Sequence, residues 1–198
     1  MTQKKLPLGV PTFREIIQGN YLYADKTEYM NSMLKGPKFL FLSRPGRFGK
    51  TLLLDAVEEL FLGNRELFRD LWIVSNSNYG FERHPVLRFD MSYDGLAAKD
   101  DLAENIKSDL TDIAETEGFT IGSSSCGRML GEVLKGVSEK YGLGVVILVD
   151  EYDDPESSLI SSRKLSSDNL DSTAKTLPLD REAERFVAIA LAPLRLSL

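Results

Sequence analysis

One cysteine, one histidine and one tryptophan are all that the 198-residue chain holds of three residue types rich in chemistry. A lone Cys126 excludes an intramolecular disulfide and any multi-cysteine zinc site, and its place on an apolar helical face marks it as core. A lone His84, set before Pro85, leaves little room for histidine-based metal or triad chemistry and reads as a loop residue. Trp72, close to Leu67 and Leu71, reads as packing and not as a stacking platform for bases. A surplus of positive charge is also missing. The 24 Lys and Arg face 30 Asp and Glu, a formal net charge of −6, so the whole molecule carries no basic footprint for nucleic acid, although a local basic patch is compatible with that total. No stretch approaches the ~18–20 apolar residues of a membrane helix. The two lysines in MTQKKLPLGVPTF lead into no apolar stretch of a secretory leader. The expected location is the cytoplasm, with no membrane partner.

What is present suits a globular domain. The chain is 42% hydrophobic and 27% charged, and its length fits one domain, or one domain with a tail. Residues 25–34 (DKTEYMNSML) predict a short helix, with Asp25 as cap and Glu28 completing a capping box. The apolar run 39–42 predicts a buried strand. A helix from Lys50 through LLLDAVEELF ends at Gly63, and Asn64 opens a second short helix reaching Leu71. Residues 73–84 are rich in turn formers, and 86–89 form a second strand that ends at Asp90. Leu102, Ile106, Leu110 and Ile113 share one helical face closed by Gly118; Met129, Leu130, Val133, Leu134 and Val137 mark another amphipathic helix. VVILV at 145–149 is the strongest strand signal. Strands alternating with helices predict an α/β layered fold with a mainly parallel sheet. Residues 156–176 are Ser-rich without a period and read as loop or disorder, whereas 182–191 fit a helix or a strand equally. The expected division is a domain at 1–155 and a tail at 156–198.

The stretch SRPGRFGKT at 43–51 stands between a strand and a helix. A standard phosphate loop is G-x-x-x-x-G-K-[ST]; here Gly49, Lys50 and Thr51 fill the last three places, but Arg44 stands where the first glycine belongs. The physics of the loop asks for backbone N–H groups and a helix amino end aimed at one phosphate. Gly49 permits close approach, Lys50 reaches the outer phosphates, and the Thr51 hydroxyl holds Mg²⁺. Arg44 and Arg47 add positive charge. The expected nucleotide-binding stretch is therefore Arg44, Pro45, Gly46, Arg47, Phe48, Gly49, Lys50, Thr51 and Leu52. VVILVDEYDD supplies the other half: an apolar strand ending in an acidic pair at the carboxyl edge of a sheet, where such folds bind ligands. Asp150 would hold Mg²⁺ through water, and Glu151 would orient the attacking water, the Walker B pattern. A basic turn and a solvated acidic turn are the plain alternatives, and their joint occurrence in one chain argues against both. Asp153 and Asp154 tune the metal site or form a turn before Pro155; Asp90 and Ser92 join the metal shell or start a loop. Asp25-Lys26-Thr27 serves helix capping rather than nucleotide contact.

Beyond these two elements, SRPGRFGKT resembles the S-R-P-x-R-F-G-K-[ST] loop variant of the AAA-ATPase-like family of P-loop proteins. LPLGVPTF, YLYADKT at 21–27, PVLRFDMS at 85–92 and VDEYDDP at 149–155 resemble further blocks of that family, in the same order over about residues 5–155. The resemblance implies a three-layer P-loop NTPase fold and an ATP core of the additional-strand type, with ATP and Mg²⁺ as ligands. It implies ATP hydrolysis driving a conformational change, with Lys50 and Glu151 catalytic and Thr51 and Asp150 on the metal. A non-hydrolysing, nucleotide-dependent interaction module is the alternative, as is an inactive fragment of a longer ATPase. A protein partner or a homo-oligomer would receive the change. Longer relatives of this kind often add a nuclease-like domain. After Pro155 the likeness lapses: no sensor strand or arginine finger is legible, which points to truncation, frame disruption or divergence and an incomplete fold. No N/T-K-x-D element follows the acidic strand, so ATP is favoured over GTP.

Overall fold

Thr12 opens the first ordered helix: its hydroxyl accepts from the Glu15 amide at 3.2 Å and starts α1, Phe13–Gln18. The structure, a computed structural model, describes residues 4–36, 38–45, 48–91, 99–151 and 184–192, with the backbone alone for 43–45, 99–101 and 184–192. The order continues α2 Thr27–Leu34, β1 Phe39–Pro45, α3 Lys50–Phe61, α4 Trp72–Asn76, β2 Val86–Asp90, α5 Lys99–Glu117, α6 Cys126–Tyr141, β3 Val145–Asp150 and β4 Glu184–Ala192.

Several local expectations are modified. Helix α2 starts two residues after Asp25, with Lys26 as its cap residue. The Asp25 carboxylate acts from one place earlier, accepting from Thr27 N at 2.8 Å and Thr27 Oγ1 at 2.7 Å. Its second oxygen accepts from the Trp72 amide at 2.7 Å, so one aspartate pins the starts of α2 and α4 together. Asn64 precedes only a 3₁₀ turn, Arg65–Phe68, and its side chain makes no cap bond there; its Nδ2 donates to Glu59. The turn-rich stretch contains the short helix α4. Residues 184–192 are a strand.

The sheet order is β1-β4-β3-β2. Strands β2 and β3 pair in parallel from Val86 and Val146 to Asp90 and Asp150. Strand β4 lies between β1 and β3 and runs antiparallel to both. Three strands thus share a direction, but with β4 running against them only the β2–β3 ladder is parallel, so the sheet is mixed rather than mainly parallel. Period-two alternation then divides the core. Val146 and Leu148 on β3 face a cluster with Phe13, Met30, Leu54 and Phe68. Val145, Ile147 and Val149, with Leu87 and Phe89 of β2, face Leu110 of α5 and Val133 of α6. Helices therefore cover both faces of the β2–β3 half, consistent with an α/β class. Each fully buried Leu or Phe contributes about 1.5–3 kcal/mol of apolar burial. Among the described residues no helix is long and apolar enough to cross a membrane.

Candidate functional site

Strand direction decides where the polar ends meet. Phe41 of β1 and Val149 of β3 both lie opposite Ala188, on either side of β4. Asp150 is opposite Asp90. The carboxyl ends of β1, β2 and β3 therefore share one edge, and β1 runs three residues further, through Ser43, Arg44 and Pro45, before the loop into α3. The amino end of α3 begins at Gly49, whose left-handed backbone (φ +73°) suits glycine. The cap residue is a glycine with no side chain to bond this end, and no acidic residue occupies the first turn, so among the described residues no local carboxylate offsets the positive end of the helix dipole. Lys50, the first helical residue, is only 5% exposed. Thr51 and Phe48 are exposed, and Leu52 packs against the first core. The backbone of Arg44 and Pro45 pairs with Arg185 and Glu184; Gly46 and Arg47 lie outside the described residues, as do Ser92, Asp153 and Asp154.

At the end of β3, Asp150 is 2% exposed. Its Oδ1 accepts from the Glu151 amide at 3.0 Å, and its carbonyl accepts from Met91 N at 3.0 Å, which locks the ends of β2 and β3 together. Glu151 has a left-handed backbone, φ +50°, uncommon for a non-glycine residue, and its Oε2 is buried. Asp90 is exposed at the same edge.

Sequence reasoning passed over Arg88. From the middle of β2 its Nη1 donates to Glu58 Oε2 at 2.7 Å and to Asp55 Oδ1 at 3.3 Å, both on α3, and its Nη2 stands 3.6 Å from Asp150 Oδ2. Burial works against its charge, but the hydrogen bonds and charges of Glu58 and Asp55 outweigh that and hold its pKa above the ordinary value. The available signal was a single arginine inside an otherwise apolar strand.

Other singled-out residues lie elsewhere. Asp25 is engaged with Thr27 and Trp72 at the starts of α2 and α4, from the place before the Lys26 cap rather than as the cap itself. Trp72 packs against the first core. His84 sits in the loop before β2, its Nδ1 3.2 Å from Gly144 O. Cys126 is half-buried and its thiol donates to Ala103 O at 3.3 Å. A cavity of about 490 Å³, lined by Asn31, Asn76, Tyr79, Glu82 and His84, opens beside the amino ends of β2 and β3, away from the edge that carries their carboxyl ends.

The family model described as Predicted AAA-ATPase matches residues 7–190, through the Ser-rich stretch and most of β4. A protein described as an uncharacterized protein in the vnfD 5' region, from Azotobacter chroococcum mcd 1, is 34% identical over 194 residues. That alignment covers 96% of this chain and 37% of the relative, so the chain spans little more than a third of that protein's length. No solved structure matches. With a family model covering most of its length, the chain belongs to the predicted AAA-ATPase family.

Proposed function

We propose that the chain binds ATP with Mg²⁺ at the carboxyl edge of a P-loop NTPase sheet and hydrolyses it. The observation that carries this reading is the amino end of α3: begun by a left-handed Gly49 with no capping side chain, free of acidic residues in its first turn and headed by a buried lysine. That end follows β1 on the edge where β3 delivers Asp150 and Glu151. Helix-end amides and an ammonium fit a polyphosphate. No group of three or more His, Cys, Asp or Glu poised for a metal occurs among the described residues. Magnesium needs no such cage, because nucleotide phosphates and water fill most of its shell beside one or two protein ligands. Thr51 and Asp150 would be those ligands, and the bound ion would offset charge on the outer phosphates.

In this reading the backbone amides at the amino end of α3, from Gly49 to Leu52, and the Lys50 ammonium stabilise charge developing on the transferred phosphoryl group, with Arg44 to Phe48 leading into that end. Glu151 orients the attacking water. Its strained backbone is the kind of distortion that accumulates at functional sites. The energy of turnover would pass to a protein partner or a second copy of the chain.

The test is nucleotide affinity of the parent and of Lys50→Ala, compared at matched folding. Loss of the charged contact should weaken binding about 10- to 100-fold. Equal affinity in the two would remove the site assignment. Glu151→Gln should then bind nucleotide without turning it over; binding without turnover in the parent as well would identify a nucleotide-dependent interaction module.

A further inference from the structure

Arg88 belongs to a strand whose neighbouring positions, Leu87 and Phe89, enter the α5–α6 core. Alternation sends Arg88 to the opposite face, toward α3 and alongside Asp150. A guanidinium there loses hydration, so its partners must compensate. They are asymmetric. Nη1 is committed to α3, through Glu58 at 2.7 Å and Asp55 at 3.3 Å. Nη2 faces Asp150 Oδ2 at 3.6 Å, an ion-pair distance but longer than a hydrogen bond. The other oxygen of Asp150 is fixed by the Glu151 amide. One planar group thus joins the helix that begins with Lys50 to the carboxylate that ends β3, and among the described residues it balances the charge on Oδ2 through a long contact.

We propose that Arg88 is a positioning residue for Asp150: anchored on Glu58 and Asp55, it sets the carboxylate's place relative to α3 so that a divalent cation and the nucleotide phosphates are met together. This rests on the reading of Asp150 as a Mg²⁺ ligand. The long Nη2 contact yields when the cation draws on Oδ2, while the Nη1 contacts keep the arginine in place. Lysine cannot reproduce the arrangement, because one ammonium lacks the fork that divides between two elements.

The experiment measures the dissociation constant of a fluorescent ATP analogue in excess Mg²⁺ and in EDTA, for the parent, Arg88→Met, Arg88→Lys and Glu58→Gln, with thermal melts to verify folding. The quantity of interest is the ratio of the two constants, which a purely structural role would not move selectively. In Arg88→Met the gain in affinity from Mg²⁺ should shrink about tenfold, as for other groups that orient a metal ligand, while affinity in EDTA holds. Arg88→Lys should recover part of the gain, and Glu58→Gln should lose a smaller part. Should Arg88→Met fail to fold, the other two variants decide: a reduced Mg²⁺ gain supports the proposal and a full one overturns it. A parent that binds with Mg²⁺ gain, beside folded variants that keep all of it, overturns the role of Arg88 alone. A parent with no Mg²⁺ gain overturns the Mg²⁺ reading of Asp150 as well.

Discussion

Gly49 and Glu151 both adopt left-handed backbone, at φ +73° and +50°, at opposite sides of the proposed cleft. Glycine bears that conformation freely, whereas an L side chain is strained by about 1–2 kcal/mol. Glu151 is held there by its own amide bonding back to Asp150. A third residue shows how much one carboxylate can organise. Asp25 accepts from Thr27 N, Thr27 Oγ1 and Trp72 N, at 2.7–2.8 Å. Asp25→Ala is expected to lower unfolding stability by about 1–2 kcal/mol, the usual penalty for a lost cap with buried donors left over. Asp25→Asn should restore part of it. Urea titrations check this, and an unchanged midpoint in Asp25→Ala would show that those bonds contribute nothing. Nucleotide affinity of the folded variant should match the parent, because Asp25 serves the helices and not the ligand.

Between elements, α5 and α6 are joined at their carboxyl ends. Lys140 Nζ meets Glu117 Oε2 at 2.7 Å and Glu117 O at 2.9 Å, and Tyr141 donates to the same carboxylate at 3.0 Å. The Lys140 contact, with help from Tyr141, holds the Glu117 carboxyl below its usual pKa despite the opposing effect of burial. A depressed carboxylate stabilises the fold above its unfolded pKa and loses that contribution as pH falls through the folded value. The stability margin of the parent over Glu117→Gln should hold above about pH 5 and shrink below about pH 4. A margin that grows on acidification would contradict the pairing. Elements of this size were legible where period and punctuation agreed: Gly63 and Gly118 lie just past α3 and α5, both with positive φ. Helices α1 and α4, of six and five residues, are too short for a period to emerge. The partners of Arg88 on α3 lie 30 and 33 residues away, so its position hinted at a charge to be satisfied but could not name the groups. For 182–191, local pattern left helix and strand level; a place between β1 and β3 decides for strand, and that is a tertiary fact.

At the scale of the molecule, the sheet is closed from within. Strands β1 and β3 carry the loop and the acidic pair, yet they do not touch as neighbours; β4 joins them through antiparallel ladders on both sides. Beyond that join, Phe39 and Phe41 of β1 are 67% and 68% exposed, in contrast to the covered β2–β3 half. A chain ending at residue 183 should therefore keep α5, α6 and the β2–β3 pair but lose hydrogen-exchange protection over β1, with a fall in nucleotide affinity. Protection of β1 amides that survived the deletion would show that β4 is dispensable.

The same interposed strand sets a schedule. A ribosome that has released residue 151 has delivered both the GKT turn and the Asp-Glu pair, but the partner that spaces them is still to be translated. Competence for nucleotide would arrive only once residues 184–192 had been made and had paired on both sides, so a nascent chain paused before them would display the motifs while lacking their geometry.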